Sequence, residues 1–440
     1  MITKSLWLVF FSSAAALLTG CGSGDSNSGV AGISAVQPAY PTADTAISPA
    51  DNVIPVTVGR SLVSPSVNVP LVTIKVCVPG TQICQSIDHV LLDTGSTGLS
   101  IFSNTTGGEI NTTMTPLPHL QDVLGRNIYD CFAYGDGFVD AGGMYQADVY
   151  IGNHKAPIQT IGVFGDSETY FSTLCQRNPV VNTQPSGDYV IQSPSGTIGR
   201  GINGILGIAP YKLSLINETT AQACDSLFSC VAYQYTSVNA PSNILSRLTT
   251  DNNGFTLSLP SLTIPADSEY NSPPFTGNII LGINTKSNNI ITSTPIYLSS
   301  EGYIFCYSGS WKANILFDTG GVAYFIGNSL INLLTPYGYS IVYGDFIALP
   351  DNESLHITLP SYDAHNTKIN LEITISDTAT MKKIWAGSVI PDLVFTNNIP
   401  QLSNTFDFGI PFFFGKNVSF LFDGATMQGN NTVGPAVFIN

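Results

Sequence analysis

Two short segments, one in each half of the chain, share a pattern that few folds accommodate. The first is Val90-Leu91-Leu92-Asp93-Thr94-Gly95-Ser96 and the second is Ile315-Leu316-Phe317-Asp318-Thr319-Gly320-Gly321. Each sets Asp-Thr-Gly directly after three apolar residues, the pattern of a buried strand that ends in a tight turn bearing a carboxylate. A single Asp-Thr-Gly arises by chance in about one chain in ten of this length. Two of them with matched apolar lead-ins, one per half, are far rarer. The repetition predicts two related halves that meet across a pseudo-twofold axis and bring Asp93 and Asp318 together. Carboxylates so placed cannot both ionise comfortably; they share a proton and titrate as a unit. One can then act as general base on a water while the other donates to a carbonyl. Thr94 and Thr319 are placed to hydrogen-bond the opposite loop, and Gly95 and Gly320 allow a turn that a Cβ would obstruct.

The rest of the composition suits a β-rich body around such a pair. Of 440 residues only 10% are charged, 41 are Gly and 27 are Pro. Strand-like runs rich in β-branched and aromatic residues recur from Val53 to Phe422 between those breakers. Helix-like patterns are few and short, near residues 242–248 and 328–334. A formal net charge of −15 argues against nucleic acid, whose phosphates need a basic face. The five histidines have no HExxH spacing, no Ser lies in a G-x-S-x-G elbow, and no Cys/His spacing suggests zinc. Gly199-Arg200-Gly201-Ile202-Asn203-Gly204 matches G-x-G-x-x-G, but it runs on into a strand pattern rather than a helix. Neither a cofactor nor a metal is expected.

At this point the chain resembles the pepsin-like aspartic proteases, over roughly residues 52–440. Tyr134-Gly135-Asp136-Gly137, followed by Gly142-Gly143 and the run 147–151, looks like the flap hairpin that closes over substrate, with Tyr134 at the flap tyrosine. Asn203-Gly204-Ile205-Leu206-Gly207-Ile208-Ala209 is similar to the apolar-apolar-Gly segment that threads past the first catalytic loop. In the second half, Phe408-Gly409-Ile410-Pro411-Phe412-Phe413 and Phe420-Leu421-Phe422-Asp423 resemble the corresponding closing strands. A narrower resemblance, carried by residues 76–81, 87–91 and 407–415, is to a set of bacterial exported proteins, and it brings no activity with it.

The resemblance implies a mostly β, bilobal fold with pseudo-twofold lobes and a central cleft. It implies a two-aspartate, water-mediated endopeptidase, with Asp93 and Asp318 as the dyad and Thr94, Gly95, Ser96, Thr319 and Gly320 as supports. The expected partner is a peptide or protein substrate bound by a monomer. The alternative is a non-catalytic binding or scaffold protein that keeps the fold. A glycosidase would also use two carboxylates, but their Asp-Thr-Gly context does not suit one. Three positions depart from the family. Gly321 stands where Ser or Thr supplies a hydroxyl to the second carboxylate, Ser100 stands where a Trp braces the flap tyrosine, and Ile410 follows Phe408-Gly409 in place of the usual Asp.

The N-terminus adds an address. Lys4 precedes a short apolar stretch, residues 6–18, too short for a permanent membrane span. Leu18-Thr19-Gly20-Cys21 resembles the bacterial lipobox, which implies a signal peptide over 1–20 and lipidation of Cys21. Gly22 rather than Asp follows, which favours the outer membrane. The expected organisation is a lipidated tether over 21–51, an N-terminal lobe over 52–250 and a C-terminal lobe over 251–440, held at the cell envelope by the lipid anchor. Export permits disulfides. Cys77/Cys84 and Cys224/Cys230 are spaced to staple local loops and Cys131/Cys175 to join over a longer distance, leaving Cys306 over.

Overall fold

The computed structural model describes residues 51–60, 66–102, 117–133, 139–164, 202–211, 221–225, 229–262, 272–308, 311–331, 338–342, 346–348, 355–375, 388–397 and 402–440. The expected signal peptide, Cys21, the tether up to residue 50, Cys175 and the flap residue Tyr134 lie outside them.

The alternating apolar runs pair into two sheets, of fifteen and nine strands among the described residues. In the first, Val69–Cys77 pairs antiparallel with Val53–Gly59, Cys84–Asp93 and Val139–Ile151. From Val139–Ile151 the order runs through His154–Phe164, Thr97–Phe102, Gly204–Ile208 and Cys84–Asp93 back to Val69–Cys77. That closure makes a barrel, which removes the unpaired edges an open sheet would present. Its interior is filled by inward-facing Val76, Ile87, Val90, Leu92, Ile101, Val149 and Leu206, all fully buried. Beyond the barrel the same sheet continues through Val53–Gly59, Phe275–Leu281, Gly254–Ser258, Asn417–Leu421, Ala436–Ile439 and Ile296–Tyr297. The first and last described strands therefore share one sheet, and it ties the two halves together. The second sheet belongs wholly to the second half, with Thr405–Phe408 between Trp311–Phe317 and Tyr324–Gly327. The architecture is the mostly β, two-lobed, pepsin-like arrangement.

The disulfides fall at strand ends. Cys77–Cys84 and Cys224–Cys230 each join residues that are directly paired across a hairpin. Cys131 is also disulfide-bonded, and Cys306 is free and buried.

Two local expectations change. Residues 242–248 form a short 3-10 turn at Ile244–Arg247, started by the Asn243 side chain, which accepts the Leu245 N–H at 2.9 Å. The strand expected through residues 408–413 stops at Phe408. Pro411 has no N–H for a ladder, and Ile410–Phe413 coils into a second 3-10 turn. That turn packs Phe412 against Phe317 and Phe408, with ring centroids 5.3 and 4.9 Å apart, so the aromatic run supports the second Asp-Thr-Gly from below.

Candidate active site

Each half builds the same threaded loop. In the first, Cys84–Asp93 and Thr97–Phe102 are held apart, and Gly204–Ile208 runs between them, parallel to one and antiparallel to the other. In the second, Thr405–Phe408 runs between Trp311–Phe317 and Tyr324–Gly327 in the same senses. Gly207 and Gly409 pass close against the neighbouring turns. A Cβ on Gly207 would meet the Thr97 nitrogen at 2.6 Å, and one on Gly409 would meet the Gly321 carbonyl oxygen at the same distance. This is why the threading segments read apolar-apolar-Gly.

The two turns lock together through their threonines. The Thr94 N–H donates to Thr319 Oγ1 at 3.0 Å and the Thr319 N–H donates to Thr94 Oγ1 at 2.9 Å. Each hydroxyl then donates onward to the opposite strand, Thr94 to the Phe317 carbonyl at 2.8 Å and Thr319 to the Leu92 carbonyl at 2.6 Å. Both threonines are fully buried, so no water competes for these groups.

This lock brings the aspartates into hydrogen-bond contact. The Gly95 N–H donates to Asp93 Oδ1 at 2.7 Å, and the Gly320 N–H donates to Asp318 Oδ1 at 2.8 Å. Each glycine also faces the opposite carboxylate with no room for a side chain: Asp318 lies against Gly95, and Asp93 Oδ1 would be 2.7 Å from a Cβ on Gly320. On the first side Ser96 Oγ donates to Asp93 Oδ2. On the second side Gly321 has no hydroxyl to offer. The sequence-derived residues Asp93, Thr94, Gly95, Ser96, Asp318, Thr319 and Gly320 thus converge on one point.

Two further residues stand there. Asp407, on the threaded strand of the second half, lies beside Asp318, near enough for the two carboxyls to share a hydrogen bond. Tyr211 donates its hydroxyl to the Gly95 carbonyl at 3.1 Å and packs its ring on Gly302, whose φ of 84° and missing Cβ make the space. Burial pushes the Asp318 carboxyl well above the ordinary range; the nearby Asp407 and Asp93 push it further, and the Gly320 N–H pulls part of the way back. Asp407 is pushed up likewise, first by burial and then by Asp93, while its hydrogen bond with Asp318 pulls part of the way back. The Tyr211 phenol is held neutral by burial and by the same acidic neighbours. Among the described residues no group of three or more His, Cys, Asp or Glu side chains has the arrangement to hold a metal ion.

Residues 48–438 match the family described as a protein of unknown function, DUF3443. The chain belongs to the DUF3443 family. No curated protein matches it. Among solved structures it is similar to the aspartic proteinase from Irpex lacteus, at 16% identity and a TM-score of 0.46, over 88% of this chain and 96% of that one.

Sequence reasoning on this DUF3443 protein passed over Asp407 because it sits one residue before the Phe408-Gly409 pair, at a position where the first half carries Ile205. A charged residue between two phenylalanines in the threaded strand was the available signal. His89 lies in Cys84–Asp93 with a φ of 52° and its Nδ1 on Asp88 at 3.0 Å, so its described contact is with a neighbour outside the dyad. Ser100 is buried in Thr97–Phe102, paired with Ile205.

Proposed function

We propose that this DUF3443 protein is an aspartic endopeptidase, and the observation that carries the reading is the reciprocal Thr94–Thr319 lock that sets Asp93 against Asp318. The two carboxyls are unequal in a way that assigns roles. Asp93 accepts from Gly95 and from the Ser96 hydroxyl and so holds the negative charge, whereas Asp318 accepts the Gly320 N–H, lies buried beside Asp407 and holds the shared proton. A water placed between them loses a proton to Asp93 as its oxygen bonds to the scissile carbonyl carbon, and Asp318 passes its proton to the carbonyl oxygen. Collapse of that tetrahedral adduct breaks the C–N bond as the amine nitrogen takes the proton from Asp93 and one adduct hydroxyl returns its proton to Asp318, leaving a carboxylic acid and a free amine. The substrate is an extended peptide. The lipobox-like Cys21 supports an exported protein that is lipid-anchored at the bacterial cell envelope, with the outer membrane as its site; it works there as a monomer. Loss of membrane partitioning in a Cys21→Ala variant tests that anchor.

A second reading is favoured by one feature, the missing hydroxyl at Gly321, and makes the protein a non-catalytic binding module. Cleavage of a mixed peptide library by protein lacking residues 1–21, from acid to neutral pH, separates the two. Turnover lost in both Asp93→Asn and Asp318→Asn, and blocked by a statine-type inhibitor, supports the peptidase. No cleavage at any pH by folded protein sinks it.

A further inference from the structure

The halves of the site are not copies, and the difference between them is systematic. In the first half Ser96 supplies a hydroxyl to Asp93, and the threaded strand carries Ile205, paired with Leu91 and Ser100. In the second half the place of Ser96 is taken by Gly321, and the place of Ile205 by Asp407, paired with Leu316 and Phe325. A hydrogen-bonding side chain has been lost from the turn and gained on the threaded strand.

We propose that Asp407 is a positioning residue of the dyad, held as a neutral carboxylic acid that donates to Asp318 the hydrogen bond Gly321 cannot make. This inference rests on the endopeptidase reading for its catalytic consequence, though not for the proton it places on Asp407.

The donor inventory points to the neutral form. Asp93 accepts from a backbone N–H and a hydroxyl, and Asp318 from a backbone N–H. Asp407 Oδ1 is enclosed and accepts no hydrogen bond from any described residue. A negative charge on Oδ1 would lie between Leu316 and Phe325 without a donor among the described residues. The hydrogen bond with Asp318 favours the charged form, but burial and the nearby Asp93 outweigh it, and a protonated carboxyl needs only one acceptor, which Asp318 beside it can be. The ionisable groups facing it reinforce this. Among the described residues they are Asp318 and Asp93 from the two turns, Tyr303 from the adjoining hairpin and Tyr211 from the first half, none of them basic. When Asp93 is ionised, the three carboxyls therefore hold two protons, one on Asp318 for the scissile carbonyl and one on Asp407. The second proton keeps Asp318 oriented toward Asp93 instead of toward solvent. The same exchange of hydroxyl for carboxyl explains how a turn reading Asp-Thr-Gly-Gly remains competent.

The test has one arm that needs no turnover. In protein labelled with ¹³C at the aspartate carboxyl, Asp407 should show the chemical shift of a protonated acid at neutral pH, and Asp407→Asn should remove that resonance alone. In the activity arm, Asp407→Asn, which keeps a donor, should hold peptide turnover within a few-fold of wild type. Asp407→Leu, which keeps the volume, should lose roughly ten- to a hundredfold, the size of one charge-assisted hydrogen bond, and its acid limb should move to higher pH. An ionised Asp407 resonance at neutral pH overturns the proposal, as do equal losses in the Asn and Leu variants of folded protein. Absence of turnover in the wild type, with the protonated resonance present, removes the peptidase reading and leaves the neutral Asp407 standing.

Discussion

Thr94 and Thr319 exchange bonds symmetrically, each accepting the backbone N–H of the other through Oγ1 at 3.0 and 2.9 Å. Each hydroxyl also donates to a main-chain carbonyl of the facing strand, so removing one leaves a buried N–H and a buried C=O without partners. Unpartnered buried polar groups cost about 1–3 kcal/mol each. Thr94→Ala and Thr319→Ala should each lower stability by about 2–4 kcal/mol in urea unfolding. The two deletions remove different hydrogen bonds, so a double variant that loses less than the sum would show that breaking one side already loosens the contact between the two turns. Thr→Ser at either site keeps the hydroxyl and should cost markedly less. Additive losses would show that the two sides are not coupled.

Gly95 and Gly320 are required by the space opposite them. A methyl group at Gly320 would sit 2.7 Å from Asp93 Oδ1, and one at Gly95 would press on the Asp318 carboxyl. Neither backbone lies at positive φ, so alanine can adopt the turn and the penalty falls on the carboxylates. Gly95→Ala and Gly320→Ala should fold with a loss of about 1–3 kcal/mol from overpacking. Peptide turnover should drop by about a hundredfold or more, the scale on which roughly 1 Å displacements act. Full activity in either variant would mean that the dyad is not the reacting pair.

Asn68 clamps the two halves behind the second turn. It is fully buried with a φ of 60°, a conformation Asn tolerates better than most residues. Its amide donates to the Val322 and Ile390 carbonyls at 2.8 and 2.7 Å, and its Oδ1 accepts the Ile390 N–H at 2.6 Å. Asn68→Ala should cost about 2–4 kcal/mol through the orphaned main-chain groups. Asn68→Asp should cost as much or more, since a carboxylate would face two carbonyl oxygens. Both are read from denaturation midpoints, and a neutral effect would show that Val322 and Ile390 find other partners.

The sequence made some of this legible and hid the rest for physical reasons. Asp-Thr-Gly after three apolar residues is a local pattern repeated twice, and repetition let it predict a meeting of distant segments. Hairpin disulfides were readable because six and seven residues separate Cys224 from Cys230 and Cys77 from Cys84. Asn68 gave no signal, because its partners lie more than 250 residues away and an isolated Asn reads as a turn. Asp407 was hidden beside a motif: it directly precedes Phe408-Gly409, and it takes its meaning only from standing beside Asp318. The sheet that mixes Val53–Gly59 with Asn417–Leu421 is likewise a product of chain closure, not of any local preference.

The acidic trio also sets how stability depends on pH. Asp318 and Asp407 have their carboxyls raised above the ordinary value of 3.8 in the folded protein, by burial first and by neighbouring aspartates next. The folded state therefore binds more protons than the unfolded state once pH exceeds that value, and stability falls as pH climbs from it toward the raised values. Below it both states are protonated and the penalty vanishes. Asp407→Asn removes one such group while keeping its shape. The variant should match or trail wild type in strongly acidic solution and exceed it at neutral pH, with the gap opening as pH rises above about 4. Thermal midpoints of both proteins across that range are the measurement. A gap that opened toward acid would mean that Asp407 is ionised and partnered in the fold, and the neutral-donor role would go with it.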